Sequence, residues 1–274
     1  MIKKVYHIAD PHILNSEDNK PYSIMMKKFL ATLYEEIKNY KREEVRVVIV
    51  GDIFESKIKT SNEARAIFHE MCNFLNTIAI VIITAGNHDM LVNNKDRYDS
   101  ISPTFDIMNV YENITYADKA LGYESGYIED DNIIWALYSI HDNYNKPNIL
   151  DLKKDENTKV IGLYHGDIVG AVTDCGRMSD KGINFDDFKG CDCVMAGHIH
   201  KFQTIKKHGI PLVYAGSLFQ CNQGENVSGH GFVVWDIDTM TYELHEVPND
   251  YNIYKFSINS YDDVTLDEER LLNL

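Results

Sequence analysis

Residues 78–89 read Ile78-Ala79-Ile80-Val81-Ile82-Ile83-Thr84-Ala85-Gly86-Asn87-His88-Asp89. The first eight form an apolar run of strand length, closed by a glycine, and read as a buried β-strand. The last three set an amide oxygen, an imidazole and a carboxylate in a row where that strand ends. Four other clusters carry the same residue types: Asp10-Pro11-His12, Gly51-Asp52, His165-Gly166 and Gly197-His198-Ile199-His200. Each also follows a β-like run.

Working outward, residues 3–9 and 45–50 read as two more strands. The second has almost no polar side chain and is expected to be buried on both faces. Met26, Leu30, Leu33, Ile37 and Tyr40 recur at spacings of four, three, four and three, which is one apolar face of a helix over residues 21–42. Pro21 suits its first turn. Thr60 and Glu63 read as a capping box. The helix behind them carries Ala64, Ile67, Phe68, Met71, Phe74 and Leu75, a wide apolar face that reads as core packing, with a dimer face as the alternative. Alternating strands and helices argue for a βαβαβ start and a mostly parallel sheet. Such sheets place ligands outside the carboxyl ends of their strands.

Beyond that unit, residues 95–110 are expected to be a loop with a short helix, and residues 153–159 a charged, solvated loop. Residues 133–139, 160–164 and 192–196 read as strands. Three short runs, 211–215, 231–237 and 242–247, stand at hairpin spacing and read as the meander of a second sheet or the edge of a mixed one. Residues 262–274 read as a terminal helix or the opening of a further domain.

The chain has 274 residues, enough for a large core. Its 27 basic and 42 acidic side chains give a net charge of −15. A protein that grips nucleic acid by itself usually presents a basic surface, so action on DNA calls for metals, a partner or clustered basic groups. Five cysteines without a CxxC pair fit a reduced, cytoplasmic protein better than a disulfide framework. Cys191 and Cys193 alternate on an expected strand and are read as packing residues facing one side, with metal or redox use as the alternative. No signal peptide and no membrane-spanning run are visible.

Hard divalent ions take carboxylate and amide oxygens, and imidazole suits manganese, iron and zinc. Asp10 and His12, two apart in an extended segment, point the same way, and His198 with His200 repeats that spacing. Asp52, alone on its strand, can bridge two ions, Asn87 supplies a neutral oxygen, and His165 completes the second set. Two such ions polarise phosphoryl oxygens and activate water. His88 is assigned to the transition state or the leaving oxygen, and Asp89 to fixing its tautomer and charge. Of the other histidines, His7 is expected to be buried and structural, and His69, His208 and His245 surface or structural. His141 and His230 lie near the presumed cleft.

As a set, Asp10-x-His12, Gly51-Asp52, Gly86-Asn87-His88-Asp89, His165 and Gly197-His198-x-His200 resemble the calcineurin-like metallophosphoesterase superfamily. A narrower likeness runs through residues 7–12, Gly51-Asp52-Ile53-Phe54, Tyr214-Ala215-Gly216-Ser217 and Gly231-Phe232 to SbcD-type DNA repair nucleases, phage recombination subunits included. That resemblance implies an α/β/β/α two-sheet sandwich of the metallo-dependent phosphatase type over residues 1–250. Residues 251–274 would be a C-terminal extension, the start of a missing or truncated cap domain. It implies two manganese ions, with magnesium as the alternative. Asp10, His12 and His200 would hold one, Asn87, His165 and His198 the other, with Asp52 between them. It also implies duplex exonuclease and single-strand endonuclease activity in repair or recombination, an SbcC-type ABC/SMC-like ATPase partner, a homodimer through the helices after the second and third motifs, and a virus- or phage-encoded setting. Glu55 departs from the family, which carries His or Asp there. It either adds a carboxylate near the ions or points outward.

Two other functions fit the same residues. One is a phosphatase or small-molecule or cyclic-nucleotide phosphodiesterase. The protein-phosphatase version is disfavoured because no Asp-Arg-Gly follows Gly51-Asp52. The other is a metal-stabilised scaffold without catalysis.

Overall fold

The computed structural model describes residues 1–255 apart from 16–19, 95, 109–110, 153 and 174–175. The expected C-terminal helix and Cys175 lie outside the described residues. The chain runs β1 (Lys4–Ala9), α1 (Lys20–Ile37), β2 (Val45–Val50), α2 (Asn62–Ile78) and β3 (Ile80–Thr84), the expected βαβαβ unit. It continues with α3 (Ser102–Met108), β4 (Ile114–Tyr116), α4 (Ala117–Ala120), β5 (Gly126–Asp130), β6 (Ile133–Tyr138), β7 (Lys159–His165), β8 (Cys193–Gly197), β9 (Gln203–Lys207), β10 (Ile210–Tyr214), β11 (Gly231–Asp236) and β12 (Thr241–Glu246).

These strands form two six-stranded mixed sheets, in the orders β12-β11-β1-β2-β3-β4 and β5-β6-β7-β8-β10-β9. Register sets the site. Ala9 stands opposite Val50, and Val50 opposite Thr84. In the other sheet His165 stands opposite Gly197. The strand ends are level, so the loops that follow them emerge side by side.

Strand alternation divides the core. Val47 and Ile49 face α1 and α2 with Tyr6, Phe29 and Phe68. Val48 and Val50 face the second sheet, against Trp135, Leu163 and Met195. Each such side chain, taken fully out of water, contributes ~1.5–3 kcal/mol. The outer face of the second sheet is covered by a 3-10 turn at Phe185–Phe188 and the loop at Ile149. A charged pair ties the sheets together here: Arg46 on β2 donates through Nε (2.7 Å) and Nη2 (2.6 Å) to the two carboxylate oxygens of Asp130 on β5.

Several local expectations shift. The first helix ends at Ile37, five residues early, where Tyr40 N–H closes back on the Ile37 carbonyl at 2.8 Å. Ser61, not Thr60, caps α2: its hydroxyl accepts from Ala64 N–H at 3.1 Å, which leaves Glu63 one position short of a capping box. The three C-terminal runs are not one meander. β10 joins the second sheet, whereas β11 and β12 return to the first, β11 antiparallel to β1 and β12 antiparallel to β11. Cys191 precedes β8 and packs outside the second sheet, while Cys193 packs between the sheets, so they do not share a side. The α2 apolar face packs into the core, with Phe74 at its margin. No helix among the described residues is long and apolar enough to cross a membrane.

Candidate metal centre

The first sheet supplies Asp10, His12, Asp52, Asn87 and His88 from the loops after β1, β2 and β3, and the second supplies His165, His198 and His200 at and after the ends of β7 and β8. They meet where the two sets of strand ends face each other. His12 Nε2 and His200 Nε2 lie 3.0 Å apart. Asp10 Oδ1 is 3.9 Å from His12 Nε2, 4.0 Å from His200 Nε2 and 3.9 Å from His165 Nε2. Asp52 Oδ2 is 3.7 Å from His12 Nε2 and 3.2 Å from His165 Nε2, so one oxygen faces both halves of the cluster. In the second half, Asn87 Oδ1 is 3.3 Å from His165 Nε2 and 2.8 Å from His198 Nδ1.

This arrangement needs cations. Asp10, His12, Asp52 and His165 are all at most 3% exposed. Imidazole nitrogens turned toward one another, with carboxylates between them, form a lone-pair-rich pocket that only protons or metal ions can satisfy. The electrostatics agree. Burial lowers the pKa of His165, but Asp52 and Asp10 outweigh it and push it up to about 9. Asp52, despite burial, is held well below the usual carboxylate range by His165 and His12.

The backbone is strained at the same places. Asp10 (φ 50°), His12 (φ 48°), Asp52 (φ 51°) and His198 (φ 96°) are left-handed without being glycine. Local hydrogen bonds hold them there: Asp10 N–H to Gly51 O, His12 N–H to Asp52 O, and His198 N–H to the Asp10 carboxylate at 2.8 Å. Two glycines in the motifs are required by space. A Cβ on Gly51 would stand 2.2 Å from His165 Nδ1, and one on Gly86 would stand 2.2 Å from Asp52 Oδ1.

Each imidazole is also oriented from behind, the second contact that fixes a ligand's tautomer. His165 Nδ1 meets Val50 O at 2.8 Å. His200 Nδ1 meets Glu225 at 2.8 Å, and His198 Nε2 meets Asp167 at 3.4 Å. His12 Nδ1 meets Glu55 at 2.9 Å. The Glu55 carboxylate therefore turns toward His12, and His12 lowers its pKa. Sequence reasoning missed Asp167, Glu225 and the thiol of Cys221. Cys221 Sγ and a nitrogen of each of His12 and His200 lie within 4.8 Å of one another. Their spacing from the motifs carries no periodic signal.

One assigned contact is not found. Asp89 does not touch His88. It is fully buried, and its carboxylate accepts N–H groups of Ile53 (3.1 Å), Phe54 (3.1 Å) and Gly86 (2.9 Å). Burial and the Asp52 charge push its pKa up to about 7 against those three donors. It pins the second and third motif loops together. His88 is half-buried, and its Nδ1 meets the Glu55 carbonyl at 2.7 Å. The other histidines divide differently. His7 is fully buried between the sheets, His230 bonds Ser217 Oγ at 2.9 Å, and His141 lines a separate cavity beside Tyr123. His69, His208 and His245 pair with Tyr111, Asp186 and Glu36.

A two-sheet sandwich that gathers oxygen and imidazole donors at facing strand ends defines a metal-dependent phosphoester hydrolase scaffold. The chain belongs to the calcineurin-like phosphoesterase family, whose model matches residues 3–202. That family depends on a pair of metal ions, and the donor set fits such a pair. The chain is 33% identical over 258 residues to uncharacterized protein R555 of Acanthamoeba polyphaga mimivirus, and this match spans 91% of the chain but 18% of that relative. The relative is viral, as the phage-type likeness anticipates. Among solved structures, a putative 5'-nucleotidase from Staphylococcus aureus aligns with TM-score 0.46 and 14% identity, over 97% of this chain and 57% of that one. An archaeal phosphodiesterase aligns with TM-score 0.42 and 12% identity, over 88% and 97%.

Proposed function

We propose that this protein is a dinuclear-metal phosphodiesterase that cleaves DNA, as duplex exonuclease and single-strand endonuclease. One observation carries the two-ion part: Asp52 Oδ2 faces both His12 and His165 and so stands between two donor sets. Asp10, His12 and His200 would hold one ion and Asn87, His165 and His198 the other, manganese first and magnesium as the alternative. Bound there, the ions supply Lewis-acid polarisation of the phosphoryl group and activation of water.

The chain's own groups do the rest. The strained, back-bonded ligands fix the position of the phosphate and cost no reorganisation when charge develops. Water adds to phosphorus and releases a proton, the ester P–O bond breaks, and the leaving oxygen takes a proton. As the imidazolium, His88 would give Nδ1–H to the Glu55 carbonyl and Nε2–H to the leaving oxygen, and the proton released by water would recharge the ring. The likeness to SbcD-type nucleases supports DNA as substrate, a role in repair or recombination, an SbcC-type ATPase partner and a homodimer. It also supports residues 1–250 as the catalytic domain, with a cap beyond it. The net charge of −15 supports dependence on a partner to hold DNA.

The test is cleavage of linear duplex and single-stranded DNA with manganese, by the protein and by Asp52→Ala and His88→Ala. Metal-dependent cleavage lost in both variants is the expected result, and equal cleavage by the variants overturns the proposal. The same negative charge favours a second reading, a phosphatase or small phosphodiesterase. Turnover of bis(p-nitrophenyl) phosphate far above that of DNA would decide for it.

A further inference from the structure

A cavity of about 290 Å³ opens beside Asn87 and His198, on the second-sheet side of the centre. Its walls include Val92, Ile140, Ile183, Tyr144 and Tyr164, and Asn143 and Asp167 also line it. The tyrosine rings lie 5.1 Å apart, edge to face. Their hydroxyls are already engaged: Tyr144 donates to His165 O at 2.9 Å, and Tyr164 donates to Asp167 O. Tyr144 is partly exposed at this wall, and Tyr164, 1% exposed, backs it. The backbone is forced to place Tyr144 there. Asn143 (φ 64°) and Tyr144 (φ 61°) are consecutive left-handed residues, and Tyr144 N–H is tied to Ser139 O at 2.8 Å. Strain of this kind persists only where the surroundings over-determine it.

We infer that this cavity receives the unpaired base of the nucleotide next to the scissile phosphate. This rests on the phosphodiesterase reading above and names its substrate. The cavity shares Asn87 and His198 with the candidate metal centre, so its occupant is attached to the phosphate held there. Its size sits at the floor of the ~300–1,000 Å³ range of ordinary ligand sites, which suits one ring system and not a base pair. Aromatic and apolar walls suit a flat base, which gains from such contact whatever its identity. A paired, stacked base cannot enter. Cleavage therefore requires a single-stranded or frayed nucleotide at that position, with little preference among bases.

The experiment uses manganese-loaded protein and single-stranded oligonucleotides in which one abasic residue is walked past the cleavage position. An abasic residue next to the scissile phosphate should raise KM on the order of tenfold, and elsewhere do nothing. Val92→Glu, at a position 42% exposed, should raise KM for the intact strand and erase the difference. Titration calorimetry gives a readout without turnover. Thymidine 5'-monophosphate should bind on the order of tenfold tighter than 2-deoxyribose 5-phosphate to the parent protein, and equally to the variant. Equal KM for intact and abasic strands, or equal binding of the two phosphates to the parent protein, overturns the inference. If no diester is cleaved at all, the phosphodiesterase reading fails, and the calorimetry alone decides the cavity.

Discussion

Glu55 reaches two histidines at once: its carboxylate meets His12 Nδ1 at 2.9 Å, and its carbonyl oxygen meets His88 Nδ1 at 2.7 Å. One residue thus orients a metal-facing imidazole and the imidazole assigned to the leaving group. The side-chain contact can be removed without the main-chain one. Glu55→Ala should weaken retention of one ion ~10–100-fold, as loss of such a supporting carboxylate does. Glu55→Gln should recover part of it. Metal content after graded chelation measures both.

Asp52 faces both donor sets, so its removal should affect both ions. Asp52→Ala is expected to lower bound metal below that of any variant in a single set, and to cut phosphodiester turnover by ~10²–10³-fold or more. Elemental analysis beside the assay checks this. Retention of two ions per chain would contradict the bridging position.

Asp89 ties three backbone N–H groups and leaves His88 alone. Asp89→Asn should destabilise the fold by ~2 kcal/mol, the scale of a lost charge-assisted hydrogen bond. Chemical denaturation should show the loss, while the folded variant should keep most of its turnover. Turnover falling as far as in His88→Ala, with the fold intact, would instead restore the tautomer-fixing role.

His7 carries a pH signature of its own. Burial between the sheets lowers its pKa from 6.5 to about 3, and a contact with the Ala196 backbone offsets only part of that. The unfolded chain takes up a proton below pH 6.5 that the folded chain refuses until about pH 3. This contribution is fully present above pH 6.5 and is lost as pH falls, by ~1.4 kcal/mol per unit. Between pH 6.5 and 5 that amounts to ~2 kcal/mol. Denaturant midpoints should show this slope in the parent and a shallower one in His7→Leu.

Arg46 is 3% exposed, and its guanidinium forks onto Asp130 across the two sheets. Arg46→Leu leaves the carboxylate without its partner in a largely dry setting. A cost of ~3 kcal/mol is expected, measured by chemical denaturation. Adding Asp130→Leu should recover part of it.

Local pattern carried the central strands and the cluster positions. β2 spans residues 45–50 as its β-branched run required, and the donors after β1, β2, β3, β7 and β8 converge. Apart from β12, the edge strands escaped notice: β5 and β9 are half solvated and carry Glu129, Asp130, Lys206 and Lys207, and β4 has only three residues. Sheet membership of β11 was not visible either, since its partner β1 lies more than 220 residues away and no periodicity encodes that pairing. The contact expected between His88 and Asp89 failed for a related reason. Adjacent residues on a tight turn diverge, and the turn directs Asp89 inward to backbone donors.

The level strand ends have a mechanical corollary. The candidate ligands are drawn from both halves of the sandwich, with Asp10, Asp52 and Asn87 on one side and His165, His198 and His200 on the other. A cation seated between them acts as a rivet through two plates. Occupancy and rigidity rise together by mass action, so stripping the ions should let the plates slip at lower temperature, before either one unravels.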